Sequence, residues 1–196
     1  QPLPQALARW DELLADGRKV VAVAGSDAHA LHYRSGPLRK VIFPYRYHFS
    51  TINNHLLLPE PLTGNVLADG KAVYHALGKG SSFICLDAAA SPEGFIFTAE
   101  NDEGIFNLGD EVELNPGATI RISLPRKATI RLIHNGTPLT EQDDSDLMVK
   151  TIDKPGAYRM EAILNHLGKQ RGWIFSNPIY ATKKAKIHAE QLYDVG

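Results

Sequence analysis

The stretch that decides the fold reads Thr129-Ile130-Arg131-Leu132-Ile133-His134-Asn135-Gly136. Ile130, Leu132 and His134 recur at every second position, which is the period of a β-strand. Asn135-Gly136 follows directly, and this dipeptide suits a hairpin turn because both central residues of such a turn take positive φ. The stretch therefore predicts a strand of an antiparallel sheet that ends in a tight hairpin.

The same period extends outward from this stretch, beginning at residue 82. Ile120, Ile122 and Leu124 alternate with polar residues, and turn sequences such as Asn115-Pro116-Gly117 separate the apolar runs. We predict strands over residues 83–86, 94–99, 111–114, 119–124, 129–134, 147–151, 157–164 and 173–175. About eight strands at this spacing are typical of an antiparallel β-sandwich. The sequence thus predicts a mainly β fold, with a sandwich domain over residues 82–182.

Three side chains within these strands are predicted to be structural. Tyr158 follows a Pro-Gly turn, so we expect a corner tyrosine whose hydroxyl satisfies nearby backbone. His134 alternates with core positions and is expected to be a satisfied, inward-facing side chain. Cys85 is the single cysteine, which excludes an intrachain disulfide and predicts a buried, inert thiol.

Composition excludes some classes of partner. The 196 residues include 21 Lys plus Arg against 22 Asp plus Glu, so no net field indicates nucleic acid or an anionic membrane surface. No stretch approaches the roughly 18 apolar residues that would predict a membrane span. We therefore expect a soluble protein with a solvated basic tail over residues 183–196; the sequence leaves its compartment open between cytoplasm and periplasm.

A second stretch organises the beginning of the chain and reads Val20-Val21-Ala22-Val23-Ala24-Gly25-Ser26-Asp27-Ala28-His29. Its apolar run predicts a strand buried on both faces. Apolar residues at helical spacing predict a helix over residues 4–16 before it, and Asp69 is predicted to cap another helix further on. One helix-strand unit cannot make a domain, so partner strands must be missing or supplied by something else.

Asp27 and His29 are candidate metal ligands at the end of this predicted strand. Residues two apart on an extended backbone point to the same side, and a carboxylate with a neutral imidazole suits Zn, Mn or Fe. Two ligands do not enclose a metal, so an ordinary surface turn is the alternative. His48 and His55 follow the motif and are candidates for side chains that support the ligands. The sequence contains no nucleophile elbow, phosphate loop or dinucleotide signature.

The Gly25-Ser26-Asp27-Ala28-His29 motif and its preceding helix and strand resemble the end of a polymerase and histidinol phosphatase (PHP) domain. The segments 43–48, 53–57 and 173–180 are similar to the C-terminal part of PHP-type metallohydrolases of the CehA/McbA group. The resemblance implies a (β/α)7 barrel that binds up to three divalent metals for hydrolysis of small phosphate or other esters. Asp27 and His29 match that family's metal ligands.

The sequence departs from the family pattern because the early His-x-His motif, the acidic motif after it and the mid-barrel histidines are absent. The resemblance implies that the barrel region holding them would precede Gln1. Residues 1–81 are then a small α/β remnant of the barrel with a connecting segment. Residues 82–182 are an Ig-like β-sandwich.

Two functions remain open on the sequence. The first is a C-terminal accessory region of a metal-dependent hydrolase. It is inactive by itself, and its site for a divalent metal (Zn, Mn or Fe) is incomplete or absent in this chain. The alternative is a carbohydrate- or protein-binding module whose anchors would be Trp173 or Tyr180, although Trp173 lies in an apolar strand where burial is expected. Oligomerisation that completes a metal site is a further possibility.

Overall fold

The computed structural model describes residues 2–183, which form a mainly β structure with a few short helices. The helices are α1 (Pro4–Ala15), α2 (Tyr45–Phe49) and α3 (Val66–Lys79). The strands are β1 (Leu31–Ser35), β2 (Leu38–Ile42), β3 (Asn53–Leu56), β4 (Ser82–Cys85), β5 (Ile96–Asn101), β6 (Gly104–Phe106), β7 (Glu111–Leu114), β8 (Ala118–His134), β9 (Thr137–Ile152), β10 (Gly156–His166), β11 (Lys169–Ser176) and β12 (Ile179–Lys183). None of these helices is long and apolar enough to cross a membrane. The predicted tail lies outside the described residues beyond Lys183.

Ten of the strands form one curled sheet with the shape of a half-barrel. Its main path runs β3-β4-β11-β10-β8-β5-β6, with β9 paired to β8, and with β12 paired to both β10 and β7. All pairs are antiparallel except β7 with β12, which is parallel. Because β3 joins this sheet, residues before 82 contribute to it. The mainly β, antiparallel prediction is confirmed at this level, whereas the Ig-like sandwich and the barrel remnant stay predictions.

The centre of the sheet is the long hairpin of β8 and β9. Its turn is the predicted one, with φ of 46° at Asn135 and 76° at Gly136. The two strands predicted over 119–124 and 129–134 are in fact one strand, β8, with shifts in register between Ser123 and Ala128. Pro125 lies in the shifted part and has no backbone N–H to donate, so pairing is interrupted there while the strand direction continues.

The core lies on the inner face of this sheet. Ile120, Ile122, Ile130 and Leu132 are fully buried, as their alternation predicts. Trp173 is 0% exposed and its indole Nε1 donates to the Ala90 carbonyl at 2.9 Å. The expectation that Trp173 is buried is therefore confirmed, as is the buried thiol of Cys85.

The corner role predicted for Tyr158 is also confirmed. Its hydroxyl donates to the Lys154 carbonyl at 2.8 Å, and burial raises the pKa of Tyr158 to about 12. The His134 ring stacks on the tyrosine ring with centroids 4.4 Å apart, and its Nε2 donates to the Pro155 carbonyl at 3.0 Å. Both side chains thus fix the turn that leads into β10.

Replacing Tyr158 by phenylalanine is expected to lower the free energy of unfolding by about 1 kcal/mol, because one buried hydrogen bond is lost while the ring and its packing stay. Urea denaturation of the two proteins measures this difference. Tyr45→Phe is the matched control at an exposed tyrosine and should change stability by less than about 0.5 kcal/mol. Equal losses in the two variants would argue against the corner role.

The prediction for residues 20–24 is wrong in one respect, because residues 18–30 contain no β-strand. The helix before them forms as predicted, and Trp10 and Leu14 of α1 pack with Ala157. The apolar segment instead pairs with two asparagine side chains, Asn177 and Asn54. An apolar run becomes a ladder strand only where a neighbouring backbone is available, and here side-chain amides occupy that place.

Residues 31–42 form an exposed hairpin, β1 with β2. A further difference from the prediction concerns helix α3. Helix α3 begins earlier than predicted, because Asn65 rather than Asp69 is its N-cap. The Asp69 carboxylate accepts hydrogen bonds from the backbone N–H groups of Thr63 and Gly64, so it orders the turn before the helix.

Candidate metal centre

Asp27 and His29 lie in an exposed turn that follows the apolar segment 20–24. Their side chains are 91% and 75% exposed, and Asp27 has a φ of 50°, so the backbone is not extended there. The His29 Nδ1 atom lies 3.3 Å from Asp27 Oδ1 and 2.7 Å from the Asp27 carbonyl oxygen. The turn therefore brings the two predicted ligands together, although by a different local geometry from the one predicted.

The Asp27–His29 pair does not by itself form a metal site. Within residues 2–183, no third His, Cys, Asp or Glu side chain joins the pair. Zinc sites in proteins typically use three or four protein ligands, so two exposed ligands fit a metal only if others come from elsewhere. The metal that the family resemblance implies is therefore not accommodated by the described residues alone.

The two histidines predicted to support this pair lie in different surroundings. His48 is in α2, where its ring is 6.2 Å from that of Phe43 and 6.0 Å from that of Tyr47. His55 is in β3 and bonds to Asp87. In the described part of the chain, neither histidine forms a hydrogen bond, an ion pair or a ring contact with Asp27 or His29. Their supporting role stays a prediction.

A second group of potential ligands lies at the β3–β4 edge of the sheet. It consists of His55, Cys85 and Asp87, whose ligand atoms all lie within 4.8 Å of one another. Cys85 ends β4 and is fully buried, whereas His55 and Asp87 are half-buried. We name these three residues the His-Cys-Asp cluster.

Neighbouring side chains hold the His-Cys-Asp cluster in place. His55 Nε2 lies 2.9 Å from Asp87 Oδ1, and the Asn53 amide donates to the other carboxylate oxygen at 2.6 Å. The His55 ring stacks on Phe83 with centroids 4.9 Å apart and planes within 7°. Both the carboxylate and the imidazole are therefore oriented by contacts outside the cluster.

The ionisation of the cluster follows from these contacts. Burial acts to raise the pKa of Asp87, but hydrogen bonds from Asn53, Cys85 and His55 outweigh it and hold that pKa below its ordinary value. Burial, reinforced by the Asp87 carboxylate, raises the pKa of the Cys85 thiol. Without a metal the cluster thus combines an ionised carboxylate with a protonated thiol.

Acid is expected to destabilise the fold through Asp87. Because the pKa of Asp87 is lower in the folded state than its ordinary value of 3.8, the ionised group stabilises the fold above about pH 5, and this contribution is lost as the pH falls through the lowered pKa. Denaturation midpoints measured at several pH values should show this loss in the parent, and a shallower acid limb in Asp87→Asn. Identical acid limbs would exclude a contribution from Asp87.

Apolar surface lies open beside the segment 20–24. A cavity of about 470 Å³ is lined by residues of this segment, of α1 and of the sheet. An adjoining cavity of about 330 Å³ extends toward Gly25 and Trp173. The two share an apolar lining of Pro2, Ala6, Val23, Ile84 and Phe175. The N-terminal part of the chain therefore leaves apolar faces that the described residues do not fill.

The described residues thus offer two ligand sets of different character. Asp27 and His29 are an exposed pair that needs further ligands. The His-Cys-Asp cluster holds three ligand types in one place, and sequence reasoning missed it because Asp87 carried no signal and Cys85 was interpreted as inert. Asp87 and Cys85 are two apart, but only the β3–β4 register brings His55 to them. No protein-family model, curated protein or solved structure matches the chain.

Proposed function

We propose that this chain is the C-terminal accessory region of a PHP-type metal-dependent hydrolase of small esters or phosphoesters. In this proposal Asp27 and His29 contribute to a metal site whose remaining ligands lie on a barrel outside residues 2–183. The Ig-like sandwich is the region over residues 82–182. The observation that carries the proposal is the hydrogen bonding of the segment 20–24. Its backbone groups are hydrogen-bonded along one edge and have no partner within residues 2–183 along the other.

The bonded edge consists of alternate residues. Ala22 N–H donates to Asn177 Oδ1 at 2.7 Å, and Ala24 N–H donates to Asn54 Oδ1 at 2.8 Å. The same two amides donate back to the Ala22 and Ala24 carbonyls. Among residues 2–183, the backbone groups of Val21 and Val23 have no hydrogen-bond partner. In an extended segment, alternate residues direct these groups to opposite edges, so the open edge suits an added strand.

The position of the ligands supports the same proposal. Asp27 and His29 follow the open segment directly, and catalytic groups of parallel β/α barrels gather at the carboxyl ends of strands. Val23 is 62% exposed although it belongs to an apolar run. A barrel strand placed along this edge would cover Val23 and bring its own end next to the two ligands.

The accessory role predicts that this chain has no metal-dependent turnover by itself. Phosphate monoesters, phosphate diesters and carboxylic esters should remain intact with Zn²⁺, Mn²⁺ or Fe²⁺ added. Turnover by the isolated chain that is lost in the double variant Asp27→Ala/His29→Ala would overturn the accessory role. The coding sequence upstream of Gln1 provides the second test, since a His-x-His motif is expected there and its absence would remove the hydrolase assignment.

A binding module without catalysis is the second candidate. Trp173 cannot serve as an anchor because it is buried. The Tyr180 ring is half-buried, and Lys19 Nζ lies over it, 5.3 Å from the ring centroid. What favours this candidate is an exposed aromatic set around α2, consisting of Phe43, Tyr45, Tyr47 and Phe49. Aromatic side chains of this kind are common anchors of protein interfaces.

Pull-down and glycan-array screens of the chain test this candidate. The double variant Tyr45→Ala/Phe49→Ala should abolish any specific binding, whereas Tyr74→Ala, at an exposed tyrosine of α3, should not. Binding that is equal in both variants would exclude the aromatic set as the anchor.

A further inference from the structure

We propose that His55, Cys85 and Asp87 form a binding site for a divalent transition metal of the zinc class. This site is separate from the Asp27–His29 pair and does not depend on the hydrolase assignment. It needs no residue from outside the described part of the chain.

The spacing of the ligand atoms fits such an ion. Zinc is bound at about 2.0–2.3 Å by imidazole nitrogen, carboxylate oxygen and thiolate sulfur, so tetrahedral ligand atoms lie roughly 3.3–3.8 Å apart. The three atoms of the cluster already lie within 4.8 Å of one another. The 2.9 Å contact of His55 Nε2 with Asp87 Oδ1 would open by less than about 1 Å.

The cluster is built on paired strands rather than on a loose loop. In the β3–β4 register Asn53 is opposite Cys85 and His55 is opposite Phe83. Phe83 supports the imidazole from one side, and the Asn53 amide donates to Asp87 Oδ2, which lies 3.2 Å from His55 Nε2. Partners that orient ligands in this way are a regular feature of metal sites in proteins.

The ligand types select the ion. A thiolate with an imidazole favours zinc or cobalt over Mg²⁺, Ca²⁺ and Mn²⁺, which prefer oxygen ligands. Cys85 closes the inner side of the site, while the half-buried His55 and Asp87 leave a path to solvent. Water therefore takes the fourth coordination position.

Binding has a defined proton balance. The Cys85 S–H bond breaks as the sulfur–metal bond forms, and that proton passes to solvent. In the neutral His55 ring, the proton that Nε2 donates to Asp87 moves to Nδ1 by way of solvent, so that the Nε2 lone pair binds the metal and the ring loses no net proton. Asp87 is already ionised. One proton is thus released for each metal bound.

Titration of the chelator-treated protein with Co²⁺ tests the proposal. We expect one Co²⁺ per chain, a thiolate-to-cobalt charge-transfer band in the near ultraviolet, release of one proton in weak buffer, and a higher melting temperature. Zn²⁺ should displace the cobalt and abolish the band. Cys85→Ser should abolish the band, while His55→Ala and Asp87→Asn should weaken binding by more than the about 10-fold expected for Asn53→Ala.

Matched controls separate this site from other ligands of the chain. His75→Ala, at an exposed histidine of α3, and Asp27→Ala/His29→Ala should leave the cobalt band and stoichiometry unchanged. His188→Ala controls for the part of the chain beyond residue 183. Since Cys85→Ser changes a core residue, His55→Ala and Asn53→Ala keep the test valid if that variant fails to fold.

Two results would overturn the proposal. One is a folded protein that shows no thiolate-to-cobalt band at millimolar Co²⁺. The cluster would then serve only to join β3 and β4 through polar contacts. The other is binding that survives His55→Ala but is lost in Asp27→Ala/His29→Ala. Neither result affects the test of the hydrolase assignment, which relies on turnover and on the sequence upstream of Gln1.

Discussion

Replacing Arg159 by alanine is expected to lower the free energy of unfolding by about 3–5 kcal/mol, because it leaves a buried carboxylate without its charged partner. The Arg159 side chain is 2% exposed. Its Nε and one Nη donate to the two Asp11 carboxylate oxygens, each at 2.7 Å, and its other Nη donates to Glu161 at 2.7 Å. The guanidinium therefore bridges α1 and β10.

The size of this effect follows from burial. Burial acts to lower the pKa of Arg159, but hydrogen bonds and charge from Asp11 and Glu161 outweigh it and raise that pKa, so the group stays ionised. Without it, Arg131, at 3.4 Å, is the one charged partner that residues 2–183 still offer Glu161 inside a mostly buried site. The guanidinium also lies 4.9 Å from the centroid of the Trp10 ring, so the truncation loses a cation–π contact as well.

Urea denaturation of the parent and of Arg159→Ala measures the loss, and hydrogen exchange in α1 shows whether the helix detaches. Arg9→Ala is the matched control, because Arg9 pairs with Glu12 at 2.8 Å on the exposed side of the same helix. Exposed pairs contribute about 0–1 kcal/mol, so this variant should resemble the parent. A loss below about 1 kcal/mol in Arg159→Ala would show that Glu161 is neutralised or hydrated instead.

The sequence predicted those elements of the fold that form through interactions between residues close together in the chain. The Asn135-Gly136 turn, the alternating residues of β8, the corner tyrosine Tyr158 and helix α1 all match the structure. In each case the signal lies within about ten residues, in side-chain periodicity or in backbone dihedral preference. Such signals do not require knowledge of which segments pair.

The segment 20–24 shows where this reasoning stops. Its composition predicts a fully buried strand, yet the described chain provides no strand beside it and Val23 is 62% exposed. The partners are the amides of Asn54 and Asn177, which are 30 and 155 residues away from it in sequence. Periodicity cannot reveal partners at that distance, because they are chosen by tertiary packing.

The two sets of candidate ligands also differ in how far the sequence could predict them. Asp27 and His29 are neighbours in sequence, so the motif alone brings them into contact. The His-Cys-Asp cluster needs β3, a four-residue strand that the sequence did not predict, to carry His55 to the end of β4. A short strand with half-buried, polar residues has neither the length nor the alternation that would mark it.

Replacing Asn177 by alanine is expected to cost about 2–3 kcal/mol, because each buried group left without a partner costs about 1–3 kcal/mol. Asn177 is 1% exposed and its side-chain amide accepts from the Ala22 N–H and donates to the Ala22 carbonyl. The same amide donates to the Ser82 carbonyl and hydroxyl in β4. This one side chain therefore ties the segment 20–24 to the sheet.

Asn54→Ala is the matched control, because Asn54 makes the same pair of bonds to Ala24 at an exposed position. Water can replace those bonds, so a loss below about 1 kcal/mol is expected. Hydrogen exchange at the Ala22 amide should accelerate in Asn177→Ala and stay slow in Asn54→Ala. If both variants lose the same stability while Ala22 exchange is unchanged, the segment is held by its apolar packing on α1. The position of Asp27 and His29 would then depend on Trp10 and Val20 rather than on the sheet.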